Sequence, residues 1–438
     1  MKKNILFAAA ISCMAPLCHA ETPQDIAQLK QQLKDIQQNY KKQIQSLEDR
    51  IEELESQQVN NQPAPAPVQE QSRPNAFNPA IALILEGRYQ TFRKDLGDSI
   101  PGFSVGSEAG NGDQGFSLGE SELNLQASID DLYYGNLTLS LADAGGSTEV
   151  ELEEAWLQTQ ALPYELTLRA GRFFSAIGYM NERHTHTDDF ADRPLPYRAM
   201  LNTVYKDDGL QLRWLAPTDT FLELGGELMR GAQYPAGGSA NHGVGSWSLF
   251  AHTGGDVGVS NSWLLGLSYL SADTRERESG NGSNPDLFTG DSNLAIADLV
   301  WKWAPQGNPY RHNAVFQGGL FWRDESGKFA PGGQNFNIYD GNQFGWYSQV
   351  AYQFMPGWQI GLRGSGLSAD DTGASFAGTA LDNLGHDPWE TTAMIVWRHS
   401  EFSQLRLQYT HDEAQLLSDD RFILQYIVSL GAHGAHQF

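Results

Sequence analysis

Residues 210–228 read LQLRWLAPTDTFLELGGEL. Leu210, Leu212 and Trp214 alternate with Gln211 and Arg213, and Leu222, Leu224, Gly226 and Leu228 are interleaved with Glu223 and Glu227. Successive side chains of a strand point to opposite faces, so each run predicts a strand with one apolar and one polar face. Between the runs lies only Ala216-Pro217-Thr218-Asp219, a short link that forces the two strands to be antiparallel neighbours. The same alternation recurs in Trp263-Leu265-Leu267-Tyr269, Leu405-Leu407-Tyr409 and Phe422-Leu424-Tyr426-Val428-Leu430.

Working outward, sixteen such strands are predicted, starting near residues 80, 116, 133, 150, 165, 208, 220, 246, 262, 293, 313, 344, 358, 390, 402 and 420. A soluble sandwich would show the same alternation, so periodicity alone does not separate the two. Connection lengths do. Short links (Asp130-Asp131, Leu162-Pro163-Tyr164, Met355-Pro356-Gly357, Ser400-Glu401) alternate with long polar ones at 93–114, 174–207, 231–245, 271–292, 324–343 and 368–389. Short turns at one rim and long loops at the other mark a transmembrane barrel. Trp214, Trp263, Trp303, Trp358 and Tyr164 stand beside the short turns, where an aromatic girdle meets the lipid headgroups. The expected fold is all-β: a 16-stranded antiparallel transmembrane β-barrel, porin-like, over residues 76–438, preceded by an α-helical coiled coil.

The chain has 438 residues and a formal net charge of -24. That balance excludes nucleic acid as a partner, which needs a basic footprint, and favours cations near the surface. No stretch beyond the N-terminus is apolar for the roughly 18–20 residues that a membrane helix requires. Residues 1–20 have the plan of a signal peptide: Lys2 and Lys3, an apolar run from Ile5 to Ile11, and Cys18-His19-Ala20 before the expected cut. A lipoprotein signal through Cys13 or Cys18 is the alternative. The two cysteines both lie in this segment, so the exported chain is expected to carry neither disulfide nor thiolate metal site.

Residues 21–57 place Ile26, Leu29, Leu33, Ile36, Tyr40, Ile44, Leu47, Ile51 and Leu54 at spacings of three and four. This is a heptad seam with one stutter, which predicts a coiled coil and therefore a homo-oligomer whose strand number stays open. Pro63, Pro65, Pro67 and Pro74 make 58–75 an extended linker. Both ends of an even-stranded barrel lie at one rim, so the coiled coil is expected in the periplasm of a Gram-negative cell, with the barrel in outer-membrane lipid.

Strand parity points Glu120, Glu122, Asn124, Gln126, Arg169, Arg213, Glu223, Glu227, Arg363 and Arg406 into the lumen, which sixteen strands would leave water-filled. In Glu151-Leu152-Glu153-Glu154-Ala155-Trp156 the alternation fails, and parity does not say which carboxylates face inward. The longest connection, 174–207, carries His184-Thr185-His186-Thr187-Asp188-Asp189. On an extended segment alternate residues share a face, so His184, His186 and Asp188 could supply ligands to a borderline divalent ion such as zinc, as ligand or transported ion. If the loop folds inward, His184, His186, Asp188 and Asp189 form the constriction. His433 and His436 are a second, weaker metal candidate. No cofactor is required, and no G-x-S-x-G, H-E-x-x-H or P-loop is present, so no enzymatic activity is expected.

The stretch Arg169-Ala170-Gly171-Arg172-Phe173-Phe174-Ser175-Ala176-Ile177-Gly178, with Arg193-Pro194-Leu195-Pro196 after it, resembles the strand and inward-folding loop of phosphate-selective-type porins. The likeness implies a trimer with a loop-narrowed pore. Further stretches are similar to a family often labelled zinc-regulated outer-membrane receptors: Asn78-Pro79-Ala80-Ile81, residues 149–155, 214–219 and 254–258, and Ser429-Leu430-Gly431-Ala432-His433-Gly434-Ala435-His436. That resemblance implies an association with zinc and, by its label, TonB dependence. A TonB-dependent receptor needs a plug domain of roughly 130 residues and 22 strands, which the segment ahead of this barrel does not provide. The expectation is a passive channel for small solutes, with divalent cations such as zinc among them. The alternatives are a structural or binding protein anchored by the barrel and a TonB-dependent zinc receptor.

Overall fold

The computed structural model describes residues 79–94, 99–144, 147–237, 241–279 and 284–431. The expected signal peptide, coiled coil and linker, and the tail histidines His433 and His436, lie outside these residues.

Among the described residues seventeen strand segments form one sheet in which every paired neighbour is antiparallel. They are β1 (Ala80–Phe92), β2 (Gly115–Ser117), β3 (Ser121–Ser128), β4 (Tyr133–Ala144), β5 (Ser147–Thr159), β6 (Leu166–Phe174), β7 (Lys206–Leu215), β8 (Phe221–Met229), β9 (Ser246–Val257), β10 (Asn261–Ser279), β11 (Asp286–Trp303), β12 (Asn313–Ala330), β13 (Asn337–Met355), β14 (Trp358–Ala369), β15 (Trp389–Ser400), β16 (Ser403–Glu413) and β17 (Asp419–Gly431). Both β2 and β3 pair with β1, so they are two pieces of one interrupted stave. Pairing of β1 with β17, from Ala82 opposite Gly431 to Phe92 opposite Arg421, closes the sheet into a 16-stranded barrel. Closure leaves no free edge, so the described strands satisfy their backbone groups within the wall, as lipid requires.

The parity of residues 210–228 holds in three dimensions. Leu210, Leu212, Trp214, Leu224 and Leu228 are exposed on the outer face, while Gln211 and Glu227 are buried within. On a water-soluble protein an apolar surface this extensive would mark an interaction site; an outward-facing apolar band is also a general feature of transmembrane barrels.

Two expected loops are mostly strand. Residues 271–292 and 324–343 reduce to the links 280–285 and 331–336, because β10 to β13 run for 18 or 19 residues. A tilted strand needs about 9–11 residues to cross the apolar band, as in β6, β7 and β8 with 9 or 10. The surplus continues the ladder past that length, and in β10 polar residues on both faces, Arg275 and Glu278 exposed, Thr274 and Arg277 buried, hide the alternation.

The larger departure concerns the lumen. Its long-loop half is packed rather than water-filled. Ile177, Met180, Leu195, Tyr197, Met200 and Leu201 from the link 175–205, and Ile100, Phe103 and Val105 from the link 93–114, form one hydrophobic core with Leu270, Ile296, Phe321, Tyr347 and Leu367 on the inner wall. Within it lies the helix α1 (Leu195–Leu201), all seven of whose residues are buried. Gly345 makes room for it: a β-carbon there would stand 3.0 Å from the Pro196 ring.

Candidate functional site: the lumen loop against the inner wall

The loop 175–205 is held at its neck by its own backbone. Ser175 N donates to Tyr205 O at 3.0 Å, and the Asn181 amide donates to both Ser175 O and Tyr205 O at 2.8 Å while accepting from Tyr205 N at 2.7 Å. Glu227 receives it on the wall through Ala176 N at 2.9 Å and Ser175 Oγ at 2.5 Å. From there the loop reaches strands around the circumference. Arg88 of β1 donates to Ala191 O, Arg406 of β16 to Asp188 O, and Arg363 of β14 to Asp192.

One anchor is Asp192. Arg363 Nη2 donates to its Oδ1 at 2.5 Å, Gln408 Nε2 to the same oxygen at 2.8 Å, and Arg421 Nη2 lies 2.8 Å from Oδ2. Burial opposes ionisation of Asp192, but Arg363, Arg421 and Arg198 more than reverse this and hold its carboxyl well below the usual carboxylate range. A second anchor is Arg198 of α1, which joins Glu390 of β15 at 2.8 Å and also donates to Ala109 O and Asn111 Oδ1.

Past β1, on β3 and β5, the wall presents a cluster of carboxylates to the loop's two histidines. His186 Nδ1 is 2.8 Å from Glu122 Oε1. His184 Nε2 is 3.1 Å from Glu154 Oε2, and its Nδ1 is 3.1 Å from Glu122 Oε2 and 3.4 Å from Glu153 Oε2. The two rings stack with centroids 5.6 Å apart. Burial disfavours the imidazolium of His184, but Glu122, Glu153 and Glu154 prevail and raise its pKa well above the ordinary histidine value. Glu120 accepts from the Thr185 hydroxyl, and Lys206 Nζ approaches Glu151 at 2.9 Å and Glu153 at 3.7 Å.

A β-bulge builds this cluster. Thr138 pairs with Glu154 and Leu139 with Leu152, so Glu153 has no partner on β4. The extra residue turns both Glu153 and Glu154 inward, the re-aiming that bulges allow. This is the physical reason alternation failed in residues 151–156; the failure itself was the available signal.

Asp188 does not join the histidines. Residues Thr185–Thr187 form a turn of 3-10 helix, so the extended geometry that would align His184, His186 and Asp188 is lost, and Asp188 Oδ2 instead accepts from Arg193 Nε at 3.0 Å. Glu122 of β3 takes its place: one donor atom each from Glu122, His184 and His186 lie within 4.8 Å of one another, as do those of Glu120, Glu122 and Glu153. Asp189 stands apart, accepting from Gln359 Nε2 at 3.2 Å.

The parity-predicted lumen residues all lie inside. Glu122, Glu227, Arg363 and Arg406 are buried. Arg169 stacks on Trp156 with its guanidinium 4.2 Å from the ring centroid, and Arg213 bridges Gln211, Glu223 and Glu182. Glu390 and Arg421, which sequence reasoning passed over, were legible by the same parity from Trp389 and Phe422.

Beneath the histidines is a cavity of about 670 Å³. Its lining includes Gln126, Phe221, Asp256 and Trp263, which flank the short turns, so it belongs to that end of the barrel. Six carboxylates line it (Glu122, Glu154, Glu182, Glu223, Asp256 and Asp298) against two arginines, Arg183 and Arg213, and three histidines, His184, His186 and His252. Such a wall attracts cations.

No protein-family model matches the chain. It is 29% identical over 391 residues to an uncharacterized protein of Aquifex aeolicus, an alignment covering 83% of this chain and 80% of that one. Among solved structures it is similar to the outer membrane channel DcaP of Acinetobacter baumannii, with a TM-score of 0.52, 10% identity, and 81% of this chain covering 97% of that one. A loop-deleted form of OmpT of Vibrio cholerae gives 0.50 at 9% identity, with coverages of 81% and 99%. Salmonella typhi OmpF in complex with daunomycin gives 0.50 at 8% identity, with coverages of 80% and 97%. At such identities the likeness is one of fold, and the fold this chain shares with them is the closed sixteen-stranded barrel of porin-like outer-membrane proteins.

Proposed function

We propose that the chain is a non-enzymatic, porin-like channel of the Gram-negative outer membrane, passive rather than energised. It admits small solutes with a bias toward cations, divalent ions such as zinc among them. The observation that carries this reading is the position of the histidine-bearing loop inside the lumen, at the head of a cavity lined by six carboxylates, two arginines and three histidines. His184 and His186 line the narrow level, with Asp188 supporting it through Arg193 and Asp189 through Gln359. The resemblance to zinc-regulated outer-membrane receptors supports the choice of ion, while TonB dependence draws no support from a lumen filled by the barrel's own loops. The coiled coil expected at 21–57 and the trimer implied by the resemblance to phosphate-selective-type porins support a homotrimer with the coil in the periplasm. Reconstitution in planar bilayers under a salt gradient tests the reading: a reversal potential of cation-selective sign is expected, and an anion-selective one refutes it.

A second reading has its own observation. The loop touches strands on every side of the lumen and shares a hydrophobic core with the wall, which suits a barrel that stays shut and serves as an anchor or binding body. Absence of conductance in any state of the loop would favour it.

A further inference from the structure

The donor atoms of the histidine cluster come from two different bodies. His184 and His186 belong to the loop; Glu122 belongs to β3 of the wall, and Glu153 to the bulge of β5. We infer that a divalent transition-metal ion bound by Glu122, His184 and His186, with Glu153 as the fourth donor, clasps the loop to the wall and holds the lumen shut. The ion is then a structural clasp rather than cargo. Its effect on current rests on the channel reading above; the site itself does not.

The chemistry fits. Imidazole nitrogen with carboxylate oxygen is the donor set of borderline ions such as zinc. Glu122 and Glu153 are 3% and 2% exposed, and buried carboxylates need compensating charge. Lys206 supplies one cation at the far side of Glu153; the rest must come from protons on the imidazoles or from a metal ion. Two further atoms point the same way. Glu153 Oε2 and His184 Nδ1 are buried and 3.4 Å apart, yet neither completes a well-directed hydrogen bond. Lone pairs left over in a buried site are what an ion would collect. Because a clasp binds only the docked loop, occupancy stabilises docking by mass action, whereas the same residues loaded with protons give no dependence on metal.

The test uses the full chain, purified in detergent and dialysed with chelator, then titrated with zinc chloride or with magnesium chloride. Bound metal is counted by equilibrium dialysis, loop docking is followed by limited proteolysis between residues 175 and 205, and current is read in planar bilayers. One zinc per chain is expected, with slower loop cleavage and lower conductance, and no such response to magnesium. H184A/H186A should lose that zinc, its affinity falling by more than the roughly 10–100-fold typical of an outer-shell loss, and should lose the protection. E153Q should weaken both while leaving the two imidazoles in place. H433A/H436A identifies any zinc taken up by the tail and should leave loop protection unchanged. Retention of the barrel's heat-modifiable gel migration shows that each variant folds. The inference is overturned if zinc does not bind, if H184A/H186A binds it equally, or if it binds without changing cleavage of the loop. Zinc protection with no conductance in any condition would instead retire the channel reading and leave the clasp standing.

Discussion

Replacing Asp192 by Asn removes one charge from the anchor that fixes the loop to β14, β16 and β17. The side chain keeps its shape and an acceptor oxygen for Gln408, but Arg363 and Arg421, whose side chains are 1% and 3% exposed, lose their shared counter-ion. Breaking a buried pair from one side costs about 3–5 kcal/mol, because the remaining charge stays buried and uncompensated. The retained hydrogen bonds place D192N near the lower end, at about 3 kcal/mol. At 1.4 kcal/mol per factor of ten this is a rise of roughly 100-fold in the undocked fraction of the loop. The cost should fall on docking rather than on the barrel, since Asp192 lies in a link and the wall ladder does not pass through it. A thiol probe reads so rare a state. The chain's two cysteines precede the expected cleavage site, so a cysteine placed at Ala199, fully buried on α1, would react only when the loop leaves. Labelling should quicken roughly 100-fold in D192N and about fivefold in D189A, which forfeits one ordinary hydrogen bond worth about 1 kcal/mol. Equal labelling rates in the two variants would refute the assignment of Asp192 as an anchor.

The same carboxylate sets a pH dependence. Its pKa is depressed in the folded chain, so its contribution is complete above the unfolded value of about 3.9 and is lost as pH falls below it; labelling, normalised to that of an exposed cysteine at the same pH because only the thiolate reacts, should be level from about pH 6 to 5, quicken below about pH 4, and do so less in D192N. Gly171 on β6 has φ +127°, and a β-carbon there would stand 2.1 Å from the Ala155 carbonyl oxygen. G171A should therefore break the pairing of β5 with β6 and cost more than the roughly 1–3 kcal/mol of a strained backbone alone, whereas Gly87, with nothing within 4 Å, should accept alanine with little change in thermal stability; equal melting of the two variants would contradict this.

The barrel was legible because a lipid-facing wall obeys a local rule. Starts predicted at 80, 133, 246, 313 and 358 coincide with those of β1, β4, β9, β12 and β14, since the alternation of side chains is itself the constraint that lipid imposes. The rule stops where the outer face turns polar. In β10 to β13 exposed positions such as Asp273, Asp291, Asp324 and Asp340 break the alternation, and the ladder continues unseen. The loop was legible as long and histidine-bearing, but its path was not. Its burial depends on residues remote in the chain, Arg88 with Ala191 and Arg406 with Asp188, and no local period records such pairs. Asp188 illustrates the cost: grouping it with His184 and His186 assumed an extended segment, and one short turn of helix carried its carboxylate to Arg193 instead.

The interior divides by chemistry, and the loop divides to match. Toward β10 to β14 the wall offers Leu270, Ile296, Phe321, Tyr347 and Leu367, and α1 meets them with Leu195, Tyr197 and Leu201. Toward β14 to β17 it offers Arg363, Arg406 and Arg421 to the stretch 188–192, and toward β3 and β5 it offers carboxylates to the histidines. The apolar contact is indifferent to protons and metal ions; the two polar contacts respond to them. Salt would disturb either polar contact only weakly, because screening acts on exposed charges far more than on buried pairs. What loosens the loop must therefore change the charge of a buried group itself, by protonating Asp192 or by altering the cation held among Glu122, His184 and His186. In either case the polar edge lifts first, and the apolar face, with α1, follows once its anchors are gone.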